Sequence, residues 1–322
     1  MSTQLFNRKY DLQISTTSSN INLSQLHAVF NTTAWVSGTP KTLHIRVYNV
    51  NPQTMLQVQN EGGQVVLQAG YEGQYGIIFS GQIIQIRFGR ENAVDSFFDI
   101  TATDGDMFYT QGFISTTVSP ELTGFNNRIF SIAGNTSTPI NVTSDDIIVD
   151  TSTSLNNKLP RGRVYYGMSK DHLRQVSKSM GAYYSIENNN LSIVGVDRTK
   201  QINAPVINDK TGLIGYPTQT IEGINIKMLM NPFIVQGMKI QLNSTAIQLQ
   251  AAQVLTGGNT TANPVTIQQQ SQDGFYKVLY VNHTGDTRGH GGLDWITEVV
   301  CYTKIVNQNQ TQYGLDFRPE QP

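Results

Sequence analysis

The densest grouping of side chains suited to acid–base or metal chemistry is the run HTGDTRGHGGLDW, which offers His283, Asp286, Arg288, His290 and Asp294. Imidazole nitrogens and carboxylate oxygens both ligate zinc, so two histidines with acids between them could form a centre. Their spacing matches no helical or hairpin zinc signature, and a glycine-rich loop between strands accounts for the same residues. Asp171 and His172 are adjacent in a helical pattern. Neighbouring helix positions face different directions, so spacing alone does not make them an acid–base pair, and His172 is expected on a solvated face. The single cysteine, Cys301, sits in WITEVVCYT, an apolar strand context in which a thiol serves as a small buried hydrophobe and not as a nucleophile. No G-x-S-x-G elbow, P-loop or dinucleotide fingerprint occurs. The expectation is a non-enzyme with no catalytic, cofactor-binding or metal-binding residue, and with no cofactor.

Binding chemistry is no easier to place. Tyr71, Tyr75, Tyr165, Tyr166, Tyr183 and Tyr184 could stack on sugars or bases, but strand-end tyrosines and tyrosine pairs are expected to serve core packing and subunit contact. The basic run KLPRGR, with Lys158, Arg161 and Arg163, is short enough for a local contact only. Lys plus Arg number 22 against 23 for Asp plus Glu, and charged residues make up only 14% of the 322. That balance gives no bulk attraction to nucleic acid or to anionic membranes. The first residues lack a basic segment followed by about 7 to 15 apolar ones, so no secretory leader is expected. No run approaches the roughly 18 to 20 consecutive apolar residues of a membrane-spanning helix, and a soluble chain without membrane insertion is expected. One cysteine allows no intrachain disulfide. Sequons at Asn31 and Asn243 are expected by chance in a chain this rich in Asn and Thr.

The elements that would position these groups are mostly strands. Leu43, Ile45 and Val47 alternate with His44, Arg46 and Tyr48, and the pattern repeats at Ile84, Ile86 and Phe88 and at Phe98, Ile100 and Ala102. Turn residues at 61–63, 70–76, 89–92 and 104–105 separate the runs, which reads as an antiparallel sheet forming a small barrel or sandwich. A short helix is expected within 23–36. The stretch from Ser119 to Lys158 is poor in periodicity and reads as a linker-like boundary with short irregular strands. A helix of about three turns then follows, with Ser169 as its cap, Leu173, Val176 and Met180 on one face, and Gly181 in the left-handed position. AYYSIE and LSIVGV flank Asn188, Asn189 and Asn190 as a hairpin. Alternation resumes at Ile224, Ile226, Met228 and Met230, then at Met238, Ile240 and Leu242, then at Tyr276, Val278 and Tyr280. Residues 245–272 read as a long polar loop with a helical-looking piece at 247–255, and the tail after Lys304 as loosely ordered.

Three groups of segments resemble the hub proteins of phage tails and related contractile injection machines, the late control protein D or tail-tip hub family. They are LHIRVYNV, VVLQAGYEGQYGIIFSGQI and FDITATDGD; then GMSKDHLRQVSKSMGAYYSIENNNLSIVG; then TGLIGYPTQTIEGINIKMLMNPFIVQGMKIQL with GFYKVLYVNHTGD. The resemblance implies a mainly β, α+β chain in which two tube-like antiparallel β-barrel domains, 1–118 and 204–322, flank a small α+β domain, 119–203. It further implies a homotrimer whose six β units form a pseudo-sixfold ring continuing the tail tube. The tail tube or distal tail protein would meet one face and a spike or tip protein the other. The tape measure protein is a further expected neighbour, and phage DNA would pass through without specific binding. The expected location is the tail tip or baseplate of a virion assembled in the host cytoplasm.

The residues leave two rivals open. A carbohydrate-binding, adhesin-like module would use the same β architecture and its tyrosines. A peptidoglycan-processing enzyme would use the loop from His283 to Asp294. Glycine clusters at Gly70, Gly73, Gly76 and Gly81 and at Gly212, Gly215 and Gly223 are expected to serve turns and close backbone approach, with a ligand role as the alternative.

Overall fold

The computed structural model describes residues 5–149, 158–200, 203–219, 223–242, 248–249, 274–289, 291 and 293–302. The N-terminal part carries β1 (Arg8–Ser15), β2 (Asn20–Asn22), β3 (Ala28–Trp35), β4 (Thr42–Tyr48), α1 (Pro52–Glu61), β5 (Gln64–Tyr71), β6 (Gln74–Arg90) and β7 (Ser96–Thr103). Next come α2 (Asp106–Gln111), β8 (Phe113–Val118), α3 (Phe125–Gly134), β9 (Ile147–Ile148), β10 (Arg163–Met168), α4 (Ser169–Ser179), β11 (Ala182–Glu187) and β12 (Asn190–Gly195). The C-terminal part carries β13 (Val206–Ile207), β14 (Thr218–Gln219), β15 (Ile224–Leu229), β16 (Lys239–Leu242), β17 (Gln248–Leu249), β18 (Phe275–Asp286) and β19 (Trp295–Tyr302).

The chain is mainly β with few helices, as the alternation predicts. Leu43, Ile45 and Val47 are buried between more exposed neighbours, and β3, β15 and β19 show the same alternation. Both β units belong to one sheet, in the order β17-β14-β15-β19-β18-β3-β4-β7-β6-β5-β1-β2, with β16 and β13 branching from β18. Among the described residues this sheet coils around its cores without closing into a barrel. Two apolar clusters pack on it, Leu12 to Ala102 with Met230 and Trp295, and Ile207 to Cys301, while a third, Phe108 to Ile193, fills the middle unit, whose strands form separate sheets β10-β8 and β11-β12-β9.

Strand β18 joins the two β units. One edge pairs with β19, while the other pairs first with β16 and then, from Tyr280 to Asp286, with β3. The change of partner coincides with a register shift between Val278 and Tyr280. The residue between them, Leu279, turns its carbonyl to the Val36 amide at 3.0 Å. A bulge bends a strand and increases its local twist, which lets one strand serve two neighbours on one edge. The Trp35 and Tyr280 rings lie 4.3 Å apart at the same place.

Several local expectations are corrected. Residues 28–35 form β3, not a helix, although Leu23, Leu26 and Phe30 recur at helical spacing; pairing with β4 and β18 overrides that local preference. The boundary 119–158 contains a true helix, α3, whose Phe125, Ile129, Ile132 and Ala133 are buried in the middle cluster. Helix α4 starts at Ser169, with Met168 in the cap position. Ser169 is fully buried and donates to Thr136 Oγ1 at 2.8 Å, so it ties the helix to its surroundings and does not cap it. The expected alternation of Ile84, Ile86 and Phe88 is broken by a register shift between Ile83 and Gln85: Ile83 and Ile86 pack against the first cluster, while Ile84 and Phe88 are about half exposed. Gln248 and Leu249, within the helical-looking piece, pair as strand with β14. The rest of 245–272, the tail after Lys304, the sequon at Asn243 and residues 150–157 of the boundary lie outside the described residues. The hairpin is found as expected, with Asn188 and Asn189 at φ of 52° and 63°, the left-handed turn that asparagine tolerates.

The β18–β3 seam makes a test. A Cβ at Gly285 would stand inside the Phe30 ring, which itself packs edge-on against Trp295 at 5.3 Å. Gly285→Ala is expected to destabilise the chain by about 1 to 3 kcal/mol in urea unfolding through overpacking. Adding Phe30→Leu should recover part of that loss; no recovery would place the cost elsewhere.

Candidate assembly surface and the polar loop

The loop expected to be richest in chemistry is engaged in holding itself and the sheet together. Asp286 Oδ1 lies 2.8 Å from His27 Nε2 and accepts from the Arg288 amide at 2.9 Å. Asp294 Oδ2 accepts from the Gly291 amide at 2.6 Å. Arg8 reaches across the seam to donate to the carbonyls of Gly289 and Gly291 at 2.8 and 3.2 Å, with its guanidinium 5.8 Å from the Trp295 ring centroid. Trp295 Nε1 in turn donates to the Gly70 carbonyl at 3.2 Å. Gly70 belongs to the glycine cluster of the first β unit; a Cβ there would collide with the Gln74 carbonyl, so close backbone approach explains it. His290 lies outside the described residues.

His283 points the other way, into the core. In register, Leu43, Thr32, His283, Thr297 and Met228 stand side by side on the buried face of five adjacent strands. This polar thread lies where the first and third apolar clusters meet. His283 Nδ1 is 2.9 Å from Thr297 Oγ1, and Thr297 also receives the Asn231 amide at 2.9 Å. Burial pushes the imidazole pKa down to about 3, helped by the Lys41 charge, so His283 is neutral at ordinary pH. Among the described residues, no three His, Cys, Asp or Glu side chains are grouped to hold a metal ion. Cys301 is fully buried in the third cluster, and burial raises its thiol pKa, which suits an inert hydrophobe.

The other residues singled out in the sequence divide along the packing. Tyr71, Tyr165 and Tyr184 are buried, whereas Tyr166 is 72% exposed beside Phe113, so each tyrosine pair has one member inside. His172 is not a solvated helix residue: it is half-buried with its ring edge-on to Tyr165 at 5.2 Å, and its Nε2 is buried. Asp171 is exposed and interacts only weakly with Arg174, at 4.0 Å.

The broadest surface feature is the outer face of the sheet. Thr103, Thr42, Thr33, Asn282, Glu298 and Lys227 form one row across six strands. The parallel row holds Thr101, His44, Asn31 and Thr284 and then runs into the packed Ile296 and Leu229, the first buried and the second against the first apolar cluster. Several of the face's charges are paired in place: Lys227 to Glu298 at 2.6 Å, and Arg46 to both oxygens of Asp99 at 2.7 and 3.0 Å, with Arg87 exposed opposite Asp99 in register. Hydroxyl, amide and neutralised charge therefore dominate the face. The middle unit docks through buried polar contacts: Lys277 Nζ donates to the Gly195 and Val196 carbonyls at 2.8 and 3.2 Å, and Asp104 accepts the Asn188 and Asn189 amides. Burial lowers the Lys277 pKa to about 8 and raises that of Asp104 to about 6. Sequence reading missed both, because each is a lone charge whose burial depends on a partner far along the chain.

The neutral His283 predicts a pH dependence. Between about pH 6.5 and pH 3 the unfolded chain holds one more proton at this site than the folded one, so stability falls as pH falls, by about 1.4 kcal/mol per unit. Asp104, with its raised pKa, acts in the opposite sense between about pH 4 and 6, so the test is a difference. The stability of the wild type minus that of His283→Asn, from urea unfolding at pH 7, 6, 5 and 4, should decline with that slope below pH 6.5. A flat difference would show that the imidazole is not held neutral.

Comparison with known proteins places this architecture. Residues 45–247, more than half of the chain, match the family described as baseplate hub gp41. No curated protein matches the sequence. Among solved structures, a 43 kDa tail protein of prophage MuSo2 from Shewanella oneidensis is similar with a TM-score of 0.55 at 9% identity, over 91% of this chain and 98% of that one. A tail protein from Neisseria meningitidis MC58 is similar with a TM-score of 0.54 at 8% identity, over 91% and 96%. The E. coli c3393 protein, described as a type VI secretion component with structural similarity to the T4 tail proteins gp27 and gp5, gives 0.51 at 8%, over 91% and 76%. At such identities these likenesses concern the fold alone, and the family match carries the assignment: the chain belongs to the baseplate hub gp41 family and is a structural component of a phage tail baseplate.

Proposed function

We propose that the chain is a non-enzymatic hub that assembles as a homotrimer into a pseudo-sixfold ring continuing the tail tube. The observation that carries this reading is the unbroken sheet. Each chain supplies two β units already joined edge to edge through β18 and β3, so it forms an arc with two unlike ends. Unlike ends that meet head to tail close a ring when the rotation permits, and three arcs of two units supply six. In this reading residues 1–118 and 204–322 are the two ring-forming units and 119–203 the middle unit, with Phe108 to Val118 at the end of the first unit packing into the middle unit's apolar cluster.

The outer sheet face, with its paired charges, is suited to line the channel. A lumen with most of its positive charge paired gives the phosphate backbone of passing DNA little to bind. The tail tube or distal tail protein takes one face of the ring and a spike or tip protein the other, with the tape measure protein as a further neighbour. Assembly takes place in the host cytoplasm before incorporation into the virion. An obligate ring buries about 2,000 Å² or more per interface. The second half of β6 is a candidate supplier: residues 84–90 pair on one side only among the described residues and expose Ile84 and Phe88.

Light scattering over a concentration series is expected to give three times the chain mass, with an open-centred ring in negative stain. Ile84→Asp combined with Phe88→Asp should shift the mass toward monomer while leaving the circular dichroism spectrum unchanged. A wild-type chain that stays monomeric at every concentration, and also with the tube and spike proteins added, would overturn the ring.

A further inference from the structure

A cleft of about 490 Å³ opens in the middle unit between α3, α4 and the segment leading into β10. Among the described residues its charged lining is wholly basic: Arg128 from α3, and Lys158 and Arg163 from the run before and into β10. Leu159, Pro160, Val176 and Met180 make the remaining wall largely apolar. Arg128 is 8% exposed, and its Nε is buried without a hydrogen-bond partner. Its guanidinium stands 5.9 Å from the Phe125 ring centroid, a contact that holds the charge in place without neutralising it. Arg163 donates to Gln175 Oε1 at 3.0 Å, a neutral partner that likewise leaves its charge uncompensated.

The wall is built and not incidental. The Leu159 amide donates to Thr123 Oγ1 at 2.8 Å, and that hydroxyl donates to the Pro120 carbonyl at 2.7 Å. Gly162 passes so close to the Val118 carbonyl that a Cβ would approach it to 2.8 Å. A nearly buried arginine without an anion is costly, because transferring a charge from water is repaid only by a partner. One such arginine, with the partly buried Arg163 and the exposed Lys158 around the same concavity, marks a place suited to negative charge.

We propose that this cleft binds an acidic peptide segment of a partner protein, its carboxylates on Arg128, Lys158 and Arg163 and an aliphatic side chain against Leu159 and Met180. The mixed lining favours peptide over nucleic acid, since a phosphate chain would leave the apolar half unused and would need an extended basic track. The volume is that of an ordinary ligand pocket and suits a few residues. This inference goes beyond the ring: the cleft lies within one chain and needs no neighbouring copy.

The probes are the acetylated tripeptide Glu-Leu-Glu, its uncharged analogue Gln-Leu-Gln, and inorganic phosphate, titrated calorimetrically into the full chain. The acidic peptide should bind saturably, and the uncharged analogue at least about tenfold more weakly. Lys158→Gln with Arg163→Gln should weaken the acidic peptide by about tenfold or more, with an unchanged circular dichroism spectrum. If the double variant misfolds, Lys158→Gln alone, at an exposed position, should still weaken binding measurably. Absence of saturable binding, equal binding of the two peptides, or displacement of the acidic peptide by an equal concentration of phosphate would each overturn the proposal. None of these readouts depends on trimer formation, so failure here and failure of the ring are distinguishable.

Discussion

The pairing of β18 with β3 is the contact on which the rest of the structure depends. A strand has two edges, and β18 uses both over its 12 residues, with one edge divided between β16 and β3. Without the division at Leu279, the first and third apolar clusters would belong to two separate β units joined through the middle of the chain. With it, seven residue pairs hold the two units in one register. Every backbone amide in that ladder would otherwise face water or an unsatisfied interior, so the seam is specified by hydrogen bonding and not by apolar burial alone.

The seam also explains why polar residues are buried there. Thr32, His283 and Thr297 lie between two apolar clusters, on strands where a one-residue slip would turn these groups to the outer face, break the His283–Thr297 hydrogen bond and bring the outer-face residues into the core. A hydrogen-bonded imidazole and hydroxyl contribute little net stability compared with aliphatic side chains, but they penalise every wrong register. Arg8, Trp295 and Gly70 lock the same seam from the side, through bonds that span more than 200 residues of sequence. The loop that looked most like a catalytic constellation is therefore the clasp of the sheet.

What could be read in the sequence follows from where information is local. LHIRVYNV declares itself because each strand has one buried face, and the hairpin at Asn188 and Asn189 because two adjacent left-handed residues are uncommon outside asparagine and glycine. AVFNTTAW misleads because its fate is set by partners on both sides, one of them some 250 residues away. FNNRIFSIAG hides a helix because Asn126, Asn127 and Arg128 interrupt its apolar face, and Arg128 is itself buried. No local pattern announces the β3–β18 pairing, the burial of Lys277 and Asp104, or the basic cleft. Each is made by residues from distant elements, and the resemblance to a hub family implied two β-barrel units, not their joining in one sheet.

The middle unit is held to the sheet differently from the way the two β units hold each other. Its own core is apolar, from Phe108 to Ile193, yet its contacts with the rest include a buried amine on two carbonyls and a buried carboxylate on two turn amides. Replacing such groups with hydrocarbon is often neutral or stabilising, so stability does not account for them. Orientation does: a carboxylate facing two amides accepts one geometry, whereas two apolar patches can slide. A small unit set at a defined angle presents its exposed faces, the basic cleft among them, in one fixed direction relative to the sheet. The buried charges at the junction, with pKa values displaced toward neutrality, are the cost of that fixed angle.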